Sequence, residues 1–302
     1  PVQAIFQAPS VEGLAALASD GGGDIAESLR MILPLRPARD ADGPTAGQEP
    51  LFAVHPASGI SWKFAGLLAH LEGSRPLYGL QLPGIAPDVD HEFEHSSLDE
   101  LLDEYVKAMK SVQPEGPYRI VGWSFGGRLA QHLAAHLQRG GDDVELLAII
   151  DAYPTEHSSV AGVDGGDRMW RAFLDANEVA APAGELDAEA VRAVLAEAGN
   201  PLADIPARSI DRMVRGFLRV GALLDTTPIP TFEGGLHVFE ARVDVPADRP
   251  APQAWAAHAT GRVTSSEVQA RHSALLDDAS LREIAPVLDT LMSDSHAQVA
   301  NR

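Results

Sequence analysis

The segment YRIVGWSFGGRLAQHLAAHL, residues 118–137, constrains this chain more than any other stretch. Tyr118 to Trp123 is an unbroken strand-forming run. From Phe125 onward the apolar residues Phe125, Leu129, Leu133 and Leu137 recur at helical spacing, and Gly140 and Gly141 close the pattern. A strand that passes into a helix through GWSFG must turn sharply at Ser124. Such a turn pushes the serine into a strained conformation at the strand tip, and the small residues two positions to either side let neighbouring backbone pass close by. The five-residue pattern is weak by itself. Its place between a strand and a helix makes Ser124 the candidate nucleophile.

The chain has 302 residues, 45% of them hydrophobic, which suits one α/β domain with an insertion or two small domains around a large core. A formal charge of -20 repels phosphate backbones and anionic membranes, so neither nucleic acid nor a membrane is an expected partner. The absence of cysteine excludes disulfides, thiolate metal sites and a cysteine nucleophile. No apolar run reaches the roughly 20 residues that span a bilayer, and the N-terminus lacks a basic-then-apolar leader; cytoplasmic residence is the default expectation.

Residues 1 to about 45 read as an annex of a short amphipathic helix, a GGG joint and a linker. From Leu51, strands and helices alternate: LFAVH, a helix from about Lys63, PLYGLQL, a helix from about Leu98, YRIVGW, the helix after Ser124, and VELLAIID. This pattern predicts an α/β fold with a mostly parallel central sheet and helices on both faces. Residues 155–231 lack strand signals and carry amphipathic runs around Trp170 to Asn177, Ala188 to Ala198 and Ile210 to Leu224, the pattern of an inserted helical lid. Strands resume at LHVFEA and GRVTSSEV, and SLREIAPVLDTLM forms a final helix.

A serine hydroxyl needs a histidine to take its proton and a carboxylate to orient that histidine. His272 is the expected base, because it sits in a loop after the last strand signal and before the last helix; His258 is its best competitor. Asp151 ends the run VELLAIID at the sheet's carboxyl edge, and Asp244 ends HVFEARVD one strand later. Position alone leaves these two carboxylates open. The oxyanion needs two backbone donors. Phe125 N–H supplies one, and Ala57 supplies the other as the first donor in HPASG after Pro56, which has none.

HEFEH at 91–95 matches the HExxH zinc pattern, but Pro87 precedes it and Ser97 with Glu100 forms a capping box that starts the next helix after it, so a loop and no metal are expected. His132 and His136 lie four apart on the helix after Ser124 without a third ligand and read as a polar helix face. No phosphate-cradling glycine loop indicates a nucleotide cofactor. Trp170, Phe173, Met213 and Phe217 are the expected substrate-binding residues of the lid, with packing against the core as the alternative for each.

FAVHPASG, GPYRIVGWSFGGRLAQ and LLAIIDAYP resemble the thioesterase domains that terminate nonribosomal peptide synthetases and related polyketide synthases, from about Leu29 to Leu291. The resemblance implies an α/β-hydrolase fold over 51–295, after a linker and first strand region at 23–50, and its motifs do not extend to the lid at 155–231. It selects Asp151 over Asp244 and implies a triad of Ser124, Asp151 and His272, with Ala57 and Phe125 as oxyanion donors. Residues 1–22 resemble the end of a peptidyl carrier domain, which implies a fragment of a larger synthetase. The implied substrate is a peptidyl or acyl thioester on the phosphopantetheine arm of an upstream carrier domain, with no bound cofactor, released by hydrolysis or macrocyclisation in antibiotic biosynthesis. The alternatives are a stand-alone editing thioesterase, a general serine esterase, and a non-catalytic docking module.

Overall fold

The apolar runs become the inner strands of a seven-stranded sheet in the computed structural model of the chain, which describes residues 25–37, 48–73, 75–89, 94–154 and 166–299. The tail that resembles a carrier domain lies outside these residues, as does the start of the inserted segment. The strands are β1 (Ile32–Arg36), β2 (Leu51–Val54), β3 (Leu77–Leu80), β4 (Tyr118–Trp123), β5 (Val144–Ile150), β6 (Leu236–Ala241) and β7 (Val263–Val268). Their order is β1-β3-β2-β4-β5-β6-β7. Only β1 runs antiparallel, at one edge.

Burial explains the composition of each strand. Every residue of β2, β3, β4 and β6 is buried, so these strands carry near-continuous apolar runs. The edge strand β7 alternates partly exposed positions and reads VTSSEV. The chain steps from β2 outward to β3 and then crosses back to β4 on the other side of β2. That reversal opens a crevice beyond the carboxyl ends of β2 and β4, where open α/β sheets place their ligands. The HPASG loop and Ser124 both emerge into it.

The longer helices are α1 (Leu98–Val112), α2 (Phe125–Arg139), α3 (Asp167–Ala176), α4 (Ala188–Glu197), α5 (Ala207–Thr226) and α6 (Asp278–Val299). Ser97 caps α1 by accepting from Glu100 N–H at 3.2 Å, while the Glu100 carboxylate accepts from Ser96 N–H at 2.7 Å. The reciprocal half of the capping box thus falls one residue earlier than the pattern predicts. His91 to Phe93 lie outside the described residues, and His95 precedes α1 and pairs with Glu104 at 2.7 Å. The helix expected from about Lys63 is a 3₁₀ segment, Trp62–Ala69, whose Gly66 lies against Leu281 of α6. Between β5 and β6 the described chain holds α3, α4 and α5, with α3 and α4 both packed on α5.

His132 corrects the expectation of a polar helix face. It is 2% exposed, because α2 is buried on nearly every side between α1 and the sheet, whereas His136 pairs with Asp103 at 2.7 Å. At the amino end of the sheet, fully buried Arg119 on β4 meets Glu49, just ahead of β2, at 2.8 Å, and also Glu145 on β5. This ion group aligns three neighbouring strands far from the Ser124 edge.

Burial lowers the imidazoles of His55, His132 and His237 from 6.5 to about 4. The unfolded chain therefore binds protons below pH 6.5 that the folded chain refuses until about pH 4. Their contribution to stability is complete above pH 6.5 and is lost as pH falls toward 4. Denaturant unfolding at a series of pH values should show stability falling between those limits, with proton uptake on unfolding. A flat profile across that window would contradict the assignment.

Candidate active site

Three close approaches to glycine, two of them by backbone carbonyls, shape the turn at Ser124. A Cβ on Gly122 would stand 2.2 Å from the Gly126 carbonyl oxygen, one on Gly126 would stand 2.4 Å from the His55 carbonyl oxygen, and one on Gly127 would stand 2.7 Å from the Ala152 Cβ. These positions accept glycine alone because no side chain fits. Ser124 itself takes φ 57° and ψ −127°, a left-handed conformation that is strained for serine. Its N–H donates to the Ile150 carbonyl at 2.9 Å, which extends the β4–β5 pairing by one residue and fixes the turn to the sheet.

Asp151 stands one strand over. Its N–H donates to the Phe239 carbonyl at 2.8 Å, and its own φ is 47°. His272 opens a short 3₁₀ turn, His272–Ala274, just ahead of α6. The His272 Nδ1 lies 2.8 Å from Asp151 Oδ2, and Nε2 lies 2.8 Å from Ser124 Oγ. An ionised carboxylate only accepts, so Nδ1 carries the hydrogen and Nε2 offers its lone pair to the serine hydroxyl. The structure thus joins Ser124, His272 and Asp151 in one hydrogen-bonded chain. Asp244, the rival carboxylate, is two-thirds exposed and pairs with Arg271 at 2.6 Å. His258 ends the 3₁₀ segment Pro252–His258 with its ring edge-on to Trp255.

Burial by itself would raise the Asp151 carboxyl, yet the net shift is downward, because His272, Ala241 N–H and the Tyr153 hydroxyl all donate to it. On Oδ1 the donors are Tyr153 at 2.9 Å, Ala241 N–H at 3.1 Å and Arg249 at 3.2 Å. Burial raises the Tyr153 hydroxyl, which keeps it a donor. Neither Tyr153 nor Arg249 stands out in the sequence. Tyr153 follows Asp151 by two residues, but Arg249 arrives from a loop 98 positions away and carries no local signature.

A cavity of about 910 Å³, counting the space open to solvent, lies against Ser124 and His272. Pro56, Ala57, Trp62, Lys63 and Trp123 line it from the sheet side. Lys63 Nζ sits 5.0 Å from the Trp123 ring centre, and the Trp123 ring in turn packs against His272 at 5.5 Å. Ala57 forms part of the wall, and Phe125 is the first residue of α2, whose N–H has no intrahelical acceptor. Trp170, Phe173, Met213 and Phe217 do not line this cavity. All four are buried, and Phe217 packs edge-on against Phe125 at 5.4 Å. Amphipathic helices turn their apolar stripes into a shared core, which leaves their ends to face the cavity: Ala176, Asn177, Glu178, Asn200, Pro201 and Leu202. Among the described residues no cluster of three or more His, Asp or Glu side chains could hold a metal ion.

Residues 49–291 match the family profile of the thioesterase domain. This chain belongs to the thioesterase domain family. It is 32% identical over 293 residues to a dimodular nonribosomal peptide synthase of Bacillus subtilis (strain 168), covering 94% of this chain and 12% of the synthase. In shape it is similar to a four-domain nonribosomal peptide synthetase, with a TM-score of 0.72 at 22% identity over 93% of this chain and 21% of that one. It is also similar to the thioesterase domain that cyclises the lipopeptide antibiotic surfactin, with a TM-score of 0.56 at 17% identity over 89% of this chain and 96% of that domain. The parallel sheet and its flanking helices are therefore an α/β-hydrolase fold, as the sequence predicts. The chain spans about an eighth or less of the length of the first curated relatives that it matches.

Asp151→Asn should leave the thioesterase domain folded and lower thioester turnover by about 10³–10⁴-fold, through loss of the imidazole's orientation. Asp244→Asn should leave turnover within about twofold, as expected for an exposed ion pair. Steady-state thiol release by the two variants checks this, and a larger loss from Asp244→Asn would reverse the assignment.

Proposed function

We propose that this thioesterase domain releases a peptidyl or acyl chain from the phosphopantetheine arm of an upstream carrier domain, through an ester on Ser124. The observation that carries the reading is the unbroken Asp151–His272–Ser124 chain opening onto the cavity. His272 Nε2 takes the hydroxyl proton as Ser124 Oγ attacks the thioester carbonyl. Ala57 and Phe125 N–H hold the oxyanion, the C–S bond breaks, and the thiol leaves with the proton from His272. In the second half-reaction His272 deprotonates water, or an amine or hydroxyl of the bound chain, as it attacks the Ser124 ester carbonyl; the carbonyl C–Oγ bond breaks, His272 returns the proton to Ser124 Oγ, and the product is a linear acid, or a lactam or lactone. Asp151 stays ionised and stabilises the imidazolium in both halves.

The relatives support this presented substrate, because they are multidomain synthetases. The arm enters as part of the substrate, and the proposed chemistry needs no cofactor. Residues 155–231 act as the lid in this reading. Their described part contributes one wall of the cavity, and by excluding water and folding the chain they would bias release toward cyclisation.

The test is intact-protein mass spectrometry of wild type and Ser124→Ala mixed with short peptidyl cysteamine thioesters. Wild type alone should gain the acyl mass and release thiol, with product at acid mass or at acid mass less water. Thiol release by both proteins would remove Ser124 from the mechanism.

A further inference from the structure

His55 and Tyr105 are buried polar residues that the reaction above does not use. His55 directly follows β2, is 2% exposed and sits one residue ahead of Pro56 and two ahead of Ala57; Tyr105 lies on α1 and is fully buried. His55 Nδ1 lies 2.8 Å from the Pro56 carbonyl oxygen, and Nε2 lies 2.7 Å from the Tyr105 hydroxyl. A carbonyl only accepts, so the hydrogen is on Nδ1. Nε2 then holds a lone pair, and the Tyr105 O–H must donate to it. The relay therefore runs one way, from Tyr105 to His55 to the Pro56 carbonyl. The same carbonyl also accepts from Gly59 N–H at 2.9 Å.

The peptide unit that carries the Pro56 carbonyl also carries the Ala57 N–H. Among the described residues the only cis peptide bond is Gly116–Pro117, so this unit is trans and its C=O and N–H point in opposite directions. Two donors that pin the carbonyl on one side therefore aim the N–H on the other. Hydrogen bonds in series polarise one another, so the same two donors strengthen the N–H as a donor. Stacking of the His55 ring on Phe125, at 6.5 Å between centroids, ties this assembly to the residue that bears the second N–H. Burial lowers the His55 imidazole to about 4 and raises the Tyr105 hydroxyl well above its usual value, so both stay neutral and the direction of the relay holds across the working pH range.

The geometry points to Tyr105 and His55 as positioning residues that orient the Ala57 N–H toward the oxyanion through the Pro56 carbonyl. This inference rests on the oxyanion role proposed above for Ala57. Its effect falls on the transition state, because the donor is aimed at charge that develops only there.

Tyr105→Phe, His55→Leu and His55→Asn test it, with kcat and KM measured on a short peptidyl cysteamine thioester. Inhibition by a peptide boronic acid, which forms a tetrahedral adduct on a serine, and the melting temperature are measured beside them. Tyr105→Phe should lower kcat at least tenfold with KM within about twofold, and should weaken the boronate by a similar factor. His55→Leu should lower kcat by about a hundredfold. His55→Asn keeps an N–H near the Nδ1 position and should restore most of that loss. A folded Tyr105→Phe with kcat within about threefold of wild type would overturn the role. So would His55→Asn performing no better than His55→Leu, or losses that follow the melting temperature and not the boronate affinity. Ser124→Ala separates the two readings. Thiol release by that variant refutes the nucleophile, whereas an inert Ser124→Ala beside a fully active Tyr105→Phe refutes the positioning role alone.

Discussion

The contact on which the site depends is the approach of the Gly126 backbone to the end of β2. With the His55 carbonyl oxygen only 2.4 Å from where a Cβ would stand, the first turn of α2 lies directly on the strand whose exit loop carries Ala57. That approach brings two chain segments, more than sixty residues apart in sequence, to one edge of the sheet. It also makes the left-handed conformation of Ser124 bearable. Strain on the order of 1–3 kcal/mol persists because the flanking strand and helix are each held by their own packing. The fold itself, through the Ser124 N–H bond to the Ile150 carbonyl and the glycine contacts, sets the position of the hydroxyl.

The parallel sheet then sets the remaining distances. β4 and β5 pair up to Trp123 and Ile150, and β5 and β6 pair up to Ile150 and Phe239, so Ser124 and Asp151 leave the sheet at one level on neighbouring strands. His272 bridges them from the loop ahead of α6. Asp151 is held from several directions, by Ala241 N–H, Tyr153 and Arg249, and each donor favours its ionised form over the neutral form that burial favours. Electrostatics and topology converge here: Asp151, the carboxylate that His272 reaches among the described residues, is also one that the surroundings keep charged.

The features legible in the sequence are those written as local patterns. GWSFGG declares a turn, VELLAIID declares a strand ending in a carboxylate, and HPASG declares a loop with a missing donor at Pro56. The choice between Asp151 and Asp244 is not local. It depends on which strand end His272 reaches, and only the family resemblance selects the one the structure pairs with it. Of the two readings open for Trp170, Phe173, Met213 and Phe217, packing against the core is the one their burial matches, because aromatic residues on amphipathic helices mark the face that packs, while the cavity wall comes from polar and small residues at helix ends such as Asn177 and Asn200. His132 is buried and not on a polar face because the helix is covered on nearly all sides, and one sequence does not reveal how many neighbours a helix has. Arg249 and Tyr105 reach the site region only through tertiary contact.

The most direct test of this account is Gly126→Ala, a change of one methyl group at a helical position where alanine is otherwise the better residue. If close backbone approach builds the site, the variant should be less stable than wild type by about 1–3 kcal/mol in denaturant unfolding. The fraction that remains folded should turn over thioester at least a hundredfold more slowly, because Ser124 and Ala57 have moved apart. Wild-type stability together with wild-type turnover in Gly126→Ala would contradict it.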